Sequence, residues 1–125
     1  MEEFDIAIIG GGPAGIMAAI AASADLNVVL LEKNSSLGSK LLITGGGRCN
    51  ITNEKPIKKL LNSFHDKNFL KHSFYTFTNE MLLDLFRNRG LDFIVEDNNR
   101  VFPETEKSQD ILAILKSVSY THLTL

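Results

Sequence analysis

Six consecutive residues, Gly10-Gly11-Gly12-Pro13-Ala14-Gly15, constrain this chain more than any others. They fit the spacing G-x-G-x-x-G, which lets a backbone turn sharply and approach a ligand or a neighbouring element. Glycine-rich turns are common, so the flanks decide what this one means. Phe4 to Ile9 reads Phe-Asp-Ile-Ala-Ile-Ile, an apolar, β-branched run suited to a buried parallel strand. Pro13 suits the first turn of a helix, and Ala14 to Ala24 is rich in alanine, with Ile16, Met17 and Ile20. Asp25-Leu26-Asn27 turns the chain, and Asn27 to Leu31 is a second buried strand ending at Glu32. Strand, helix and strand make a βαβ unit with a right-handed crossover. The fold class read from this pattern is α/β, a Rossmann-like doubly wound parallel sheet.

The chemistry follows from the turn. Gly10 permits the bend, and Gly12 has no Cβ to keep a pyrophosphate away. Gly15 lets helix and strand pack closely, while Gly11, Pro13 and Ala14 complete the phosphate turn. The helix N-terminus offers free N–H groups and the positive end of its dipole. Glu32 lies 22 residues beyond Gly10, near the spacing of about 20 at which an acidic residue accepts ribose hydroxyls. This fingerprint does not separate FAD from NAD. A 2′-phosphate would be repelled by Glu32, so NADP is disfavoured at this position.

A second glycine cluster runs from Gly38 to Asn53 and contains Thr44-Gly45-Gly46-Gly47-Arg48-Cys49-Asn50. Three glycines in a row can touch a flat or anionic ligand directly. Arg48 offers a planar fork for phosphate, carboxylate or a ring carbonyl, and Asn50 and Asn53 can bond a heterocycle edge. The cluster lies just past the carboxyl end of the second strand, where open α/β sheets bind ligands.

Composition narrows the class of protein. The chain has 125 residues, 44% of them apolar, and a net charge of −2. That is one domain at most, able to bury a core, with no electrostatic reason to expect nucleic acid or a membrane surface as partner. The single cysteine, Cys49, cannot form an internal disulfide, which favours a cytoplasmic location. The nineteen residues between Asp5 and Asp25 carry no charge, but the glycine turn breaks them and Met1-Glu2-Glu3 is acidic where a signal peptide is basic.

Further along, Leu41 to Ile43 suits a short helical turn, and Pro56 to Phe64 and Asn68 to Phe74 suit polar helices. Thr78 is expected to cap a helix with Met81, Leu82, Leu85 and Phe86 on one face, and Gly90 to stop it. Strands are expected at Phe93 to Val95 and Arg100 to Pro103, and a helix capped by Ser108 with Ile111, Leu112 and Leu115 inward. Lys55, Lys58, Lys59, Lys67 and Lys71 read as a solvated face, and Phe64, Phe69, Phe74 and Phe77 as core. His65 and His72 are seven apart where a helical metal pair prefers four, so no metal site is read. Cys49 has no partner cysteine for disulfide chemistry.

The run from Lys40 to Asn50, with the βαβ start and Arg100-Val101-Phe102-Pro103, resembles the bacterial NAD(P)/FAD-dependent, aminoacetone-oxidase-like oxidoreductases. That family includes flavin reductases linked to bile-acid dehydroxylation. The resemblance spans about residues 4–116. It implies FAD as cofactor, NAD(P)H as a candidate electron donor and a small-molecule substrate. By the same resemblance Lys33 and Lys40 lie near the adenosine and phosphates, and Thr44, Gly45, Gly46, Gly47, Arg48, Cys49 and Asn50 along the flavin side. Arg100 to Pro103 are structural. Family members are several times longer, so residues 1–116 are expected to be the N-terminal part of an FAD-binding domain, inactive alone. Residues 117–125 read as a non-native tail or, by composition, a strand. No residue is read as catalytic, and the oligomeric state is left open. The rival readings are an FAD-binding tRNA-modifying transferase and a non-catalytic nucleotide-binding module.

Overall fold

The computed structural model describes residues 1–119 together with the backbone of Leu123 and Thr124. The chain opens with β1 (Ile6–Ile9), α1 (Pro13–Ala22) and β2 (Val28–Leu31). β1 and β2 pair in parallel with Ile6 opposite Val28 and Ile9 opposite Leu31. β6 (Leu123–Thr124) adds to the other side of β2, also in parallel, giving the order β1–β2–β6. The βαβ unit is therefore as expected, and the fold is a Rossmann-like α/β domain.

Between β2 and the C-terminal helix the chain builds a second layer. A kinked 3₁₀ segment, Leu41–Gly47, leads to β3 (Thr52–Asn53). Three helices follow, α2 (Ile57–Leu61), α3 (Lys67–Thr76) and α4 (Asn79–Arg87). β4 (Phe93–Glu96) and β5 (Arg100–Pro103) then form an antiparallel hairpin that β3 joins, in the order β3–β5–β4. α5 (Ser108–Val118) follows and passes the expected boundary at Lys116 by two residues. Of residues 117–125, read as a tail, 120–122 and 125 lie outside the described residues.

The caps explain where these helices begin. Thr78 accepts from the N–H of Met81 at 3.1 Å, as expected, and Asp66 accepts from Phe69 at 3.1 Å to start α3. Ser108 departs from expectation. Lys107 occupies the cap position, and the fully buried Ser108 hydroxyl instead donates to the carbonyl of Leu42 at 2.8 Å. That bond pins α5 to the 3₁₀ segment, a role for a buried hydroxyl that satisfies both partners.

One core joins the layers. Ile16 of α1, Leu30 of β2, Leu41, Cys49, Phe86 of α4 and Ile111, Leu112 and Leu115 of α5 pack together. Phe86 meets Phe93 edge to face with ring centres 6.0 Å apart. The α2–α3 pair lies outside this core, and no residue of α3 is buried. The expectation of core aromatics there fails: Phe69 is 79% exposed, and Phe64 and Phe77 are also open to solvent. Phe64 packs only locally, against Phe74. Among the described residues no helix is long and apolar enough to cross a membrane.

Phe86→Ala should remove about 3–5 kcal/mol of stability, because the ring is fully buried and its loss leaves a cavity. Urea unfolding followed by circular dichroism checks this; a loss below 1 kcal/mol would mean α4 is not part of the cooperative core.

Candidate functional site

The turn after β1 gives each of the motif glycines a distinct task. Gly10 takes φ +102°, open to glycine and strained for other residues, and its N–H donates to Leu31 at 2.8 Å. Gly12 is extended, and a Cβ built on it meets nothing within 4 Å. Its backbone faces open space. A Cβ on Gly15 would collide with the carbonyl oxygen of Gly10, so α1 rests directly on the turn. The turn at Gly10 and the close packing at Gly15 match the sequence reading.

Gly11 does more than the spacing suggests. Its N–H donates to Glu32 Oε2 at 2.7 Å, and its carbonyl accepts from the N–H of Gly38 at 2.8 Å. A Cβ on Gly11 would overlap the Leu37 side chain. The other carboxylate oxygen of Glu32 accepts from the Asn34 N–H at 2.8 Å. These N–H bonds, Asn34 first and then Gly11, hold the Glu32 carboxyl below its ordinary value of 4.5. Glu32 is thus ionised at neutral pH.

A cavity of about 470 Å³ opens over this turn. Gly10, Gly11, Gly12 and Pro13 line it together with Glu32, Lys33, Gly38 and Lys40. Ile9 and Leu31, at the carboxyl ends of their strands, add apolar surface. The fit to a dinucleotide is direct: a backbone cradle that a Cβ on Gly12 would fill, a helix N-terminus, an ionised carboxylate and two lysines.

A second cavity of about 430 Å³ adjoins the first through Pro13 and Lys40. Met17, Leu82, Phe86, Ile111 and Leu115 make it largely apolar, and Thr44, Cys49 and Asn50 supply its polar atoms. The structure therefore brings Lys40, Thr44, Cys49 and Asn50 to a common wall. It does not bring Arg48 there. The Arg48 guanidinium turns to Glu96 at 2.6 Å and Glu106 at 3.2 Å, and neither cavity includes it or Gly45 to Gly47. Burial pushes the Cys49 thiol above its ordinary value, opposed by a bond to Thr44, so it is a neutral thiol at pH 7. Among the described residues no group of three His, Cys, Asp or Glu side chains is placed to hold a metal ion.

Two alanine substitutions separate binding from folding. Gly12→Ala should leave stability within about 0.5 kcal/mol, because its Cβ enters empty space. It should weaken nucleotide binding by about tenfold or more, since a cradle once open to phosphate is filled. Gly15→Ala should instead lower the unfolding midpoint sharply. Thermal melts with nucleotide titration test the pair, and equal effects on stability would overturn the assignment. Glu32 also sets an acid limit. Its folded-state pKa is lowered, so its stabilisation is complete above about pH 4.5 and is lost as pH falls through the lowered value. Glu32→Gln should flatten the fall of the unfolding midpoint below pH 4.5, where the wild-type carboxylate takes up its proton.

Comparison with known proteins places the chain in a family. Over 114 residues the chain is 35% identical to 3-dehydro-bile acid delta(4,6)-reductase of Clostridium scindens, covering 89% of this chain and 27% of that protein. It is 34% identical over 118 residues to ribosomal RNA dihydrouridine synthase of Escherichia coli, covering 92% of this chain and 28% of that one. The chain spans little more than a quarter of the length of either relative. The solved structure of Thermovibrio ammonificans THI4 superposes with a TM-score of 0.54 over 98% of this chain and 37% of that one, at 17% identity, a likeness of fold. The family model described as HI0933-like protein Rossmann domain matches residues 4–122, and the chain belongs to that family.

Proposed function

We propose that this chain is the nucleotide-binding portion of an FAD-dependent oxidoreductase. The observation that carries the reading is the open cradle at Gly12, which lines one cavity together with the ionised carboxylate of Glu32. In this reading Gly10 to Gly12 and the first turn of α1 orient the pyrophosphate, and Glu32 accepts the adenosine ribose hydroxyls. Ile9 and Leu31 offer apolar surface to the adenine. Lys33 and Lys40 add positive charge beside the phosphates. Thr44, Cys49 and Asn50 line the adjoining apolar cavity, which excludes water from the flavin end. Bound FAD supplies hydride transfer; these residues bind, orient and shield it. The high position of the Cys49 pKa and its lack of a partner thiol argue against a thiol–disulfide step. The substrate in this reading is a small molecule, in keeping with the bile-acid reductase of Clostridium scindens, and the electron donor is NAD(P)H.

A second reading is an RNA-modifying flavoenzyme, and two observations favour it. One relative is named as a ribosomal RNA dihydrouridine synthase. Residues 55–79 also carry five lysines against one acidic residue, Asp66, and no ion pair among the described residues engages those lysines. Lys58, Lys67 and Lys71 line a groove of about 370 Å³ with Tyr75, a pairing of charge and aromatic surface suited to single-stranded RNA. Binding of ribosomal RNA fragments at graded salt, beside turnover of a bile-acid enone, separates the two readings.

The full-length protein should purify yellow and release FAD on denaturation. A colourless protein that takes up NAD but not FAD would overturn the proposal. Glu32→Ala should weaken FAD binding by about tenfold or more, since hydrogen bonds to a charged acceptor are lost, with the fold retained. Unchanged affinity by fluorescence titration would remove Glu32 from the site. The 125-residue chain alone should not oxidise NADH faster than free FAD does, because it presents only part of the walls a flavin ring needs.

A further inference from the structure

Four of the five residues from Gly45 to Cys49 have positive φ: Gly45 at 55°, Gly46 at 66°, Gly47 at 88° and Cys49 at 62°. Cys49 has a Cβ, so its conformation is strained, and such a run persists only where its surroundings over-determine it. Within the loop, the N–H of Cys49 donates to Thr44 at 3.0 Å and that of Arg48 to Gly45 at 3.3 Å. These bonds hold the loop to itself and to nothing else.

Two anchors fix it to the β3–β5–β4 sheet, one on either side of Cys49. On the C-terminal side, the Asn50 amide, with its nitrogen toward the sheet, donates to Thr52 at 3.0 Å and Val101 at 3.3 Å. On the N-terminal side stands Arg48. Its two terminal nitrogens grip the two oxygens of Glu96 at 2.6 Å and 3.3 Å, a fork-on-fork pair. One of them also reaches Glu106 at 3.2 Å. The guanidinium lies 4.0 Å from the centre of the buried Phe102 ring, and a Cβ on Gly45 would sit 3.0 Å from that ring's edge. Phe102 thus lies beneath both the loop and the arginine.

We propose that Arg48 is a positioning residue: it fastens the Thr44–Asn50 loop to the β4–β5 hairpin through Glu96 and Phe102, and so sets Thr44, Cys49 and Asn50 at the cavity wall. Arg48 acts through the loop and does not touch the cofactor. The purpose assigned to the loop rests on the FAD reading above; the clamp itself does not. Mutual bonding favours the charged form of both partners, lowering the Glu96 pKa and raising that of Arg48, so the clamp is closed at neutral pH. Arg100, whose nearest nitrogen is 3.9 Å from Glu96, completes the charge balance around that carboxylate.

The test compares R48A, R48K, E96A, E96Q and R48A/E96A in the full-length protein. One measurement is the rate of Cys49 alkylation by iodoacetamide without cofactor, read by peptide mass spectrometry. The other is the FAD dissociation constant. R48A and E96A should each speed alkylation and weaken FAD binding by about tenfold, and the double variant should do no more than either, as expected for partners in one interaction. R48K, a point charge without the fork, should fall between R48A and wild type. Unfolding midpoints taken alongside separate loop release from global unfolding, and E96Q serves as the mildest variant if E96A fails to fold. If R48A weakens FAD binding while E96A and E96Q leave affinity and alkylation at wild-type values, Arg48 is a direct ligand and the proposal falls. It falls equally if no folded variant changes alkylation. Should the wild type bind no FAD, the functional reading fails, and the alkylation rates still decide the clamp.

Discussion

The hydrogen bond from Gly11 to Glu32 is the contact on which the site's geometry depends. It ties the turn after β1 to the residue after β2, and so fixes the two strand ends that border the cavity over that turn. The same glycine accepts from Gly38, which carries the tie onward to the segment before the 3₁₀ turn. Three stretches distant in sequence therefore meet at one residue. A side chain there would displace Leu37, a core residue, so the tie and the packing beneath it are a single constraint.

From that node the chain divides labour between backbone and side chain. In the proposed reading the surface offered to phosphate is main chain: Gly10 to Gly12 and the first turn of α1. The adjoining cavity is walled by side chains from α1, α4 and α5, with Thr44, Cys49 and Asn50 presented by a loop. A loop of left-handed residues has little regular hydrogen bonding of its own, so it relies on the small antiparallel sheet behind it. Ser108, bonded to Leu42, ties the start of that segment to α5 in the same way. The second layer, which carries none of the dinucleotide motif, is thus what gives the site its far wall.

Much of this was legible in the residues. The βαβ start could be read because apolar runs, an alanine-rich helix and a glycine turn each leave a local signature. Gly12 and Gly15 sit as the spacing implies. Gly11 occupies an unspecified position in G-x-G-x-x-G, and its partners, Glu32 and Gly38, become visible only after folding. β3 is two residues long and pairs with Val101 and Arg100 across nearly fifty positions, so no local periodicity announces it. The orientation of Arg48 was hidden for the same reason, its acceptors lying 48 and 58 residues away. Phe64, Phe69 and Phe77, in and beside α3, misled because hydrophobicity marks what can be buried, and the α2–α3 pair has little to pack against but itself.

Net charge is the weakest guide of all here. A chain at −2 offers no general attraction to an anion, yet the turn at Gly10 to Gly15 needs none. Free N–H groups and a helix dipole act over a few ångströms, within a screening length of about 8–10 Å at ordinary salt. Glu32 beside that turn does not spoil it, since its charge is taken up by the N–H groups of Gly11 and Asn34. The acidic residues are not spread evenly either. Outside residues 55–79 the chain carries eight basic residues and fourteen acidic ones, while the α2–α3 segment is strongly basic. A sum over the whole molecule cancels two surfaces of opposite sign, and binding at either is governed by the surface a ligand meets.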